Sequence, residues 1–228
     1  MASPDVESAF AGCFLGRMSP DLTRTLLARG VRSEYPAGTT IYRSGDAPRT
    51  LLVVSGLLRV FMSSPDGREV TVRYARAHDV LGIAVLVGGP ADVGVQTLAP
   101  STLYRIDGAH LAARARGDGE VAWALAEELN RRLYENLQQT AVHAFGSVRQ
   151  RVAMHVLDLA SAQQGPGGPL VARVSQQELA EAVGSVREVV ARVLRDLRSA
   201  GLVTTVPTGV HVIDPTGLHD QTWNPGAG

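Results

Sequence analysis

Lysine is absent: every one of the 22 basic residues in this 228-residue sequence is arginine, a bias that coding composition explains as readily as function does. Cysteine is nearly absent. The single Cys13 excludes an intrachain disulfide framework, a four-cysteine iron–sulfur cluster and a zinc knuckle held by one chain. The longest apolar run, VLGIAVLVGG at residues 80–89, is too short and too glycine-rich to span a bilayer. The opening MASPDVESAF puts acids before any base and has no apolar h-region, so no secretory signal is read there; a cytoplasmic location and no membrane partner are expected. An excess of either charge is missing too, with 22 acidic residues balancing the basic ones, so nucleic-acid binding must come from a local patch. No P-loop, Gly-x-Gly-x-x-Gly or Ser-His-Asp order is present. The six histidines (78, 110, 143, 155, 211 and 219) are scattered, only two of them in the strand-rich zone, which argues against a cupin-type metal centre. Neither an enzyme nor a bound cofactor or metal is expected.

What is present suits a folded chain of one large or two modest domains, 45% hydrophobic and 19% charged. Between residues 31 and 110, turn signals recur about every ten residues. They are Tyr35-Pro36-Ala37-Gly38, Ser44-Gly45-Asp46, Ser55-Gly56, Ser64-Pro65-Asp66-Gly67, Gly88-Gly89-Pro90 and Asp107-Gly108. This rhythm predicts an all-β sandwich or barrel with strands at Leu51–Val54, Leu57–Phe61 and Val70–Tyr74 and a hairpin tip at SSPDGRE. Glu120 to about His143 lacks proline and glycine, and Leu125, Leu129, Leu133 and Leu137 recur every four residues, as on one ridge of a helix. Glu127–Arg131 and Glu128–Arg132 are spaced as i,i+4 pairs. Part of the leucine stripe packs on its own β domain; the rest suits a two-stranded coiled coil with a second copy, making these four leucines the expected dimer interface. A second helix, about Val148 to Ala162, ends at QQGPGGP, and a strand is expected at Leu170–Val174.

The stretch SQQELAEAVGSVREVVARVLRDL, residues 175–197, carries two helix-start signatures. Ser175 with Glu178 and Ser185 with Glu188 each read as a capping box, with Gly184 placed for the reversal between them. Ala180 is small at the crossing point. A step of 100° per residue puts Val186, Val189, Val190, Val193, Leu194 and Leu197 on one side of the second helix and Glu188, Ala191, Arg192 and Arg195 on the other, with Arg187 and Arg198 at the flank. This is the pattern of a helix-turn-helix. On an isolated helix the arginines would be a solvated face; in this frame they read as DNA contacts, arginine to guanine and glutamate to cytosine. Strands at Leu202–Val206 and Val210–Ile213 around Pro207-Thr208-Gly209 read as a wing. Residues 146–213 hold seven arginines against five acids, so backbone N–H groups and helix ends are expected to share the phosphate contacts.

Together these zones resemble the catabolite activator and fumarate–nitrate regulator (Crp/Fnr) superfamily of bacterial transcription factors, over about Val31 to Ile213. The marks are GTTIYRSGD (38–46), VVSG (53–56), DGRE (66–69), DVLG (79–82) and, most specific, GSVREVVARVL (184–194). The resemblance implies an α+β fold: an N-terminal jelly-roll β domain of the cyclic-nucleotide-binding type (1–118), a dimerisation helix (119–145) and a winged helix-turn-helix (146–218), with 219–228 as a disordered tail. It assigns base contacts to Arg187, Glu188 and Arg192; Arg195, Gln177 and Ser175 complete the expected DNA-binding set. A homodimer on a palindromic operator in double-stranded DNA is implied, with RNA polymerase as a further partner. Family members that bind cyclic AMP carry a Gly-Glu pair followed by Arg-Ser or Arg-Thr. Here Gly82 remains, Ile83 stands for the glutamate and Val93-Gly94 for the arginine pair, while Leu137 falls where a hydroxyl is usual, beside Asn136. An apolar wall does not compensate a buried phosphate, so Gly82, Ile83, Val93, Gly94 and Asn136 mark an effector pocket not built for cyclic AMP. Haem would need His78, His110 or Cys13 as a ligand. An apolar or different effector, a cyclic dinucleotide bound elsewhere, or none remain open. The competing reading is a regulatory ligand-binding module that does not touch DNA.

Overall fold

A computed structural model describes residues 3–47, 49–63, 69–88, 92–165 and 167–222, excluding the side chains of Val70 and of residues 138–144. Two helices open it, α1 (Pro4–Gly12) and α2 (Pro20–Arg29). Each begins on a proline, whose preset φ suits the first helical position and whose missing N–H costs nothing there. The β zone follows as β1 (Val31–Tyr35), β2 (Thr40–Tyr42), β3 (Thr50–Ser55), β4 (Leu57–Ser63), β5 (Glu69–Arg76), β6 (Val80–Leu81), the short helix α3 (Ile83–Gly88), β7 (Gly94–Thr97) and β8 (Ser101–Ile106). Of the two architectures that the turn rhythm allows, it is the sandwich: two four-stranded antiparallel sheets, ordered β1-β8-β3-β6 and β2-β7-β4-β5. The hairpin tip SSPDGRE and the turn at Gly88-Gly89-Pro90 lie largely outside the described residues.

Strand β3 shows why its sequence, TLLVVS, does not alternate. Leu51 and Val53 point into the sandwich with Ile41, Leu58, Val60, Val95 and Leu103. Leu52 and Val54 point the other way, into a second core with Phe10, Leu22, Leu26, Leu111 and Leu125. A strand covered on both faces reads as a continuous apolar run.

Helix α4 (Gly108–Gly117) leads into α5 (Gly119–Phe145), the long proline-free helix. The spacing predicts one stripe, and the structure divides it. Leu125 is 3% exposed in the core against α1 and α2, and Leu129 packs on the same core, so these two are not at a free interface. Leu133 and Leu137 are 56% and 55% exposed. Glu128, buried, takes the expected pair with Arg132 at 2.8 Å. The Glu127–Arg131 pair does not form: Glu127 meets Arg17 at 3.3 Å, while Arg131 turns to Glu128 and Asp79. Burial makes Glu128 the carboxylate most in need of cations, and it draws both arginines.

The C-terminal part is α6 (Val148–Gln163), β9 (Val171–Ala172), α7 (Gln176–Ala182), α8 (Arg187–Ser199), β10 (Val203–Val206), β11 (Gly209–Val212) and α9 (Pro215–Thr222). The strand expected at Leu170–Val174 is two residues long, just enough to join β11 in the three-stranded sheet β10-β11-β9. The expected tail from residue 219 is corrected by α9, which runs to Thr222. The Asp214-Pro215 start is a helix signal: Asp214 accepts the Gly217 N–H at 2.9 Å, and Leu218 is fully buried against the C-terminal core. That core does not stop at a domain boundary. It includes Leu57 and Leu98 of the β sandwich, with Tyr74 packed beside them. Among the described residues no helix is long and apolar enough to cross a membrane.

Candidate nucleic-acid interface and effector cavity

The helix-turn-helix is built by caps. Ser175 accepts the Glu178 N–H while Glu178 accepts the Ser175 N–H at 2.8 Å, a closed capping box that fixes where α7 begins. Gly184 takes φ +63°, and the N–H groups of Gly184 and Ser185 return to the carbonyls of Glu181 and Ala180 at 3.2 and 2.9 Å. This is a Schellman stop, whose left-handed residue is glycine because a Cβ is penalised there. Arg151 on α6 donates to the Val183 carbonyl at 2.9 Å, tying the same turn to the helix behind it. The second capping box does not form: α8 starts at Arg187 after Val186, with no side-chain cap. Ser185 has its backbone committed to the Schellman turn, one residue too early to cap α8. As the cap position, Val186 is 58% exposed rather than buried. Gly201 at φ +74° repeats the Schellman stop at the far end, with the Leu202 N–H on the Leu197 carbonyl at 3.0 Å.

These caps present one clean face. Val190, Val193, Leu194 and Leu197 are buried, while Arg187, Glu188, Arg192 and Arg195 are all exposed, and no ion pair engages any of those four among the described residues. Ser175 and Gln177 lie at the start of α7, Gln177 donating to Glu181 at 2.8 Å. All six expected DNA-contacting residues therefore belong to one helix-turn-helix, and the four on α8 are free to pair outward.

A second site lies between the sandwich and α5, a cavity of about 360 Å³. Gly82, Ile83, Val93 and Asn136 line it; Gly94 does not. A Cβ on Gly94 would sit 2.3 Å from the Phe61 ring, so this glycine serves strand packing. Leu137, exposed, does not line the cavity; α5 brings Asn136 and Arg132 there. The apolar wall is real, with Ile83 fully buried. Sequence reading missed the cations: Arg43, Arg49, Arg73 and Arg132 line the same space, with Asp46 the one acid among the described residues. Arg49 donates to the Ile41 carbonyl at 3.3 Å, and Arg132 holds Glu128 and the Val80 carbonyl. Arg73 differs. Its side chain is 13% exposed, its nearest carboxylate is Asp79 at 3.9 Å, and its buried Nη2 has no hydrogen-bond partner. Burial, with the Arg132 cation beside it, pushes this guanidinium below the usual arginine range.

A β-bulge aims Arg73. The β4–β5 ladder pairs Phe61 with Thr71 and Val60 with Arg73, skipping Val72, so two consecutive side chains, Val72 and Arg73, reach the cavity. Strict alternation would have turned one of them out. Beyond the bulge, Tyr74 and Arg76 occupy the opposite face and meet the C-terminal part. Tyr74 donates its hydroxyl to Asp158, its ring lies 5.0 Å from that of His219, and Arg76 pairs with Asp220 at 2.9 Å.

Two of the three haem candidates share a groove, and the third does not line it. His110 lies on α4, away from the groove that His78 and Cys13 both line. Burial pushes the Cys13 thiol up to about 11, leaving it protonated and a poor metal ligand at neutral pH.

Comparison with known proteins points the same way. A cyclic nucleotide-binding domain model matches residues 32–118, and a Crp-like helix-turn-helix domain model matches residues 150–221. The transcriptional regulator LdrP of Thermus thermophilus is 34% identical over 188 residues, 80% of this chain and 92% of that protein. The cAMP-activated global transcriptional regulator Vfr of Pseudomonas aeruginosa is 30% identical over 187 residues, 78% and 87% of the two chains. Among solved structures, the c-di-GMP responsive global regulator CLP of Xanthomonas campestris superposes with a TM-score of 0.50 at 28% identity, covering 83% of this chain and 96% of that one.

Proposed function

Because the chain belongs to the Crp/Fnr superfamily and is, like its relatives, a DNA-binding transcriptional regulator rather than an enzyme, we propose that it acts in the cytoplasm as a homodimer reading a two-fold DNA site, with an effector cavity that is not a cyclic AMP site. The observation that carries the DNA part is the outward-facing, unpaired set of Arg187, Glu188, Arg192 and Arg195 on a helix held between two Schellman turns. Arg187, Glu188 and Arg192 read base edges, and Arg195, Gln177 and Ser175 fix register on the backbone. Residues 1–118 form the sensing part, 119–145 the joining helix and 146–222 the DNA-reading part.

The dimer follows from what α5 leaves uncovered. Trp123, Ala126, Asn130, Leu133 and Leu137 face outward to differing degrees, and they recur at the three-and-four spacing of a coiled-coil seam, with Trp123, Asn130 and Leu137 seven residues apart. A polar Asn within such a seam fixes register. Two paired long helices would set two copies of α8 about one helical turn of DNA apart, and a bound dimer can present its surface to RNA polymerase.

One relative is named for activation by cAMP and one structural neighbour for its response to c-di-GMP; effectors thus differ among similar proteins, and the residues of this cavity decide here. Ile83 offers no acceptor for a ribose hydroxyl, and Val93 offers no donor for a phosphate.

Selection of bound DNA from random sequence by the purified protein at one stated salt concentration, with and without cyclic AMP, tests the whole reading. A two-fold motif enriched equally in both conditions is expected. Enrichment that requires cyclic AMP would overturn the effector part, and no motif in either condition would overturn the DNA assignment.

A further inference from the structure

We propose that the cavity between the sandwich and α5 binds a small amphipathic organic anion, its charged head held by Arg73 and Arg132 and its apolar body against Val60, Leu81, Ile83 and Val93. The proposal rests on the effector reading above and names its ligand class. Its first support is the unsatisfied cation. Arg73 is largely buried, and its Nη2 has no hydrogen-bond partner, only the Asp79 carboxylate at the long ion-pair distance of 3.9 Å; a guanidinium so thinly compensated is costly unless a further anion completes it. Its second support is the bulge at Val72, which gives up a ladder position to turn Arg73 inward; such irregularities are kept where a side chain must be re-aimed. Its third is the charge balance, four arginines against one acid among the described residues, in a space otherwise lined mainly by valine, leucine, isoleucine and alanine. The planar fork of arginine suits a carboxylate or a phosphoryl head. A cyclic nucleotide fits worse, because its ribose hydroxyl would face the buried Ile83 side chain with no acceptor. The cavity, about 360 Å³, is of a size for a ligand of modest length.

Thermal unfolding of the full-length protein with octanoate, hexyl phosphate, octanol and cyclic AMP tests this directly. Octanoate or hexyl phosphate should raise the midpoint by roughly 5 °C at about a hundredfold excess over the dissociation constant. A rise with the first alone identifies a carboxylate head, with the second alone a phosphoryl head, and either sustains the proposal. Arg73→Met should stay folded without ligand, because Asp79 keeps its pair with Arg131, and should lose the ligand-dependent rise. Should that variant fail to fold, Val93→Phe, which narrows the cavity without touching charge, must abolish the rise instead. No rise with either anion, an equal rise with octanol, a rise that the variant keeps, or a larger rise with cyclic AMP would overturn the proposal. DNA binding measured on the same preparations separates the two readings. Protein that binds its selected DNA but ignores the anions loses only this inference; protein that takes up the anions but no DNA loses only the DNA reading.

Discussion

Arg187 and Arg192 stand five residues apart on α8, both unpaired, so truncating either removes no intramolecular ion pair. Loss of binding can then be read as loss of a DNA contact. Arg187→Ala and Arg192→Ala should each weaken binding by about 1–3 kcal/mol and relax preference at one base pair, measured by fluorescence anisotropy on single-substitution variants of the selected site. Equal weakening on every sequence would show that the side chain touches only phosphate. His219 is the titratable residue with the clearest consequence. Burial, and after it the Arg76 cation, hold its imidazole below the usual histidine range, with Asp220 and Asp79 pulling weakly the other way. Between the folded value and the unfolded value of about 6.5, the unfolded chain binds more protons, so stability rises with pH. Stability is therefore expected to fall as pH drops below about 6.5. Urea unfolding at about pH 7.5 and about pH 5.5, on either side of that value, should show this loss in the wild type and a smaller one in His219→Gln.

At the scale of elements, α5 shows how a single helix serves two masters. Leucines spaced by four advance about 400° per step, so the ridge drifts by about 40° each time and about 120° from Leu125 to Leu137. The first two leucines therefore pack in the helix's own domain, Leu133 stands half out at the cavity's edge and Leu137 faces away. Trp123→Glu with Leu137→Glu, neither of which lines the cavity, should convert the dimer to a monomer in sedimentation equilibrium. An unchanged mass would show that the exposed seam is not the interface. The same geometry explains what was legible in the sequence. Caps are local, so Ser175, Glu178, Gly184 and the start of α7 could be read directly, as could the apolar side of α8. The bulge at Val72 leaves no trace in a pattern of period two, so nothing in the sequence points Arg73 to the cavity. Ser185 and Glu188 matched a capping box in spacing, but the Schellman turn had already claimed the Ser185 backbone. The division of the leucine ridge was legible only as drift, and the four leucines were grouped by spacing instead.

At the scale of the whole molecule, the sandwich and the winged helix-turn-helix are held together more by apolar contact than by charge. The Arg76–Asp220 pair is more than half exposed on both sides and contributes at most about 1 kcal/mol. Leu57 and Leu98, at 0% and 2% exposure in the C-terminal core, contribute roughly 1.5–3 kcal/mol each. Strand β5 passes between the two regions with Arg73 toward the cavity and Tyr74 and Arg76 toward the DNA-reading part. A shift of that strand on filling the cavity would reach both, provided the ligand binds one arrangement better than the other.

The shared core also limits how freely this protein can be recombined. A DNA-reading unit cut out at residue 146 and grafted onto a foreign sensor would leave behind the two leucines and the tyrosine that close its own interior, and would arrive with an open apolar wound. Swapping specificity between regulators of this build is thus a matter of exchanging the exposed side chains of α8, not of exchanging modules.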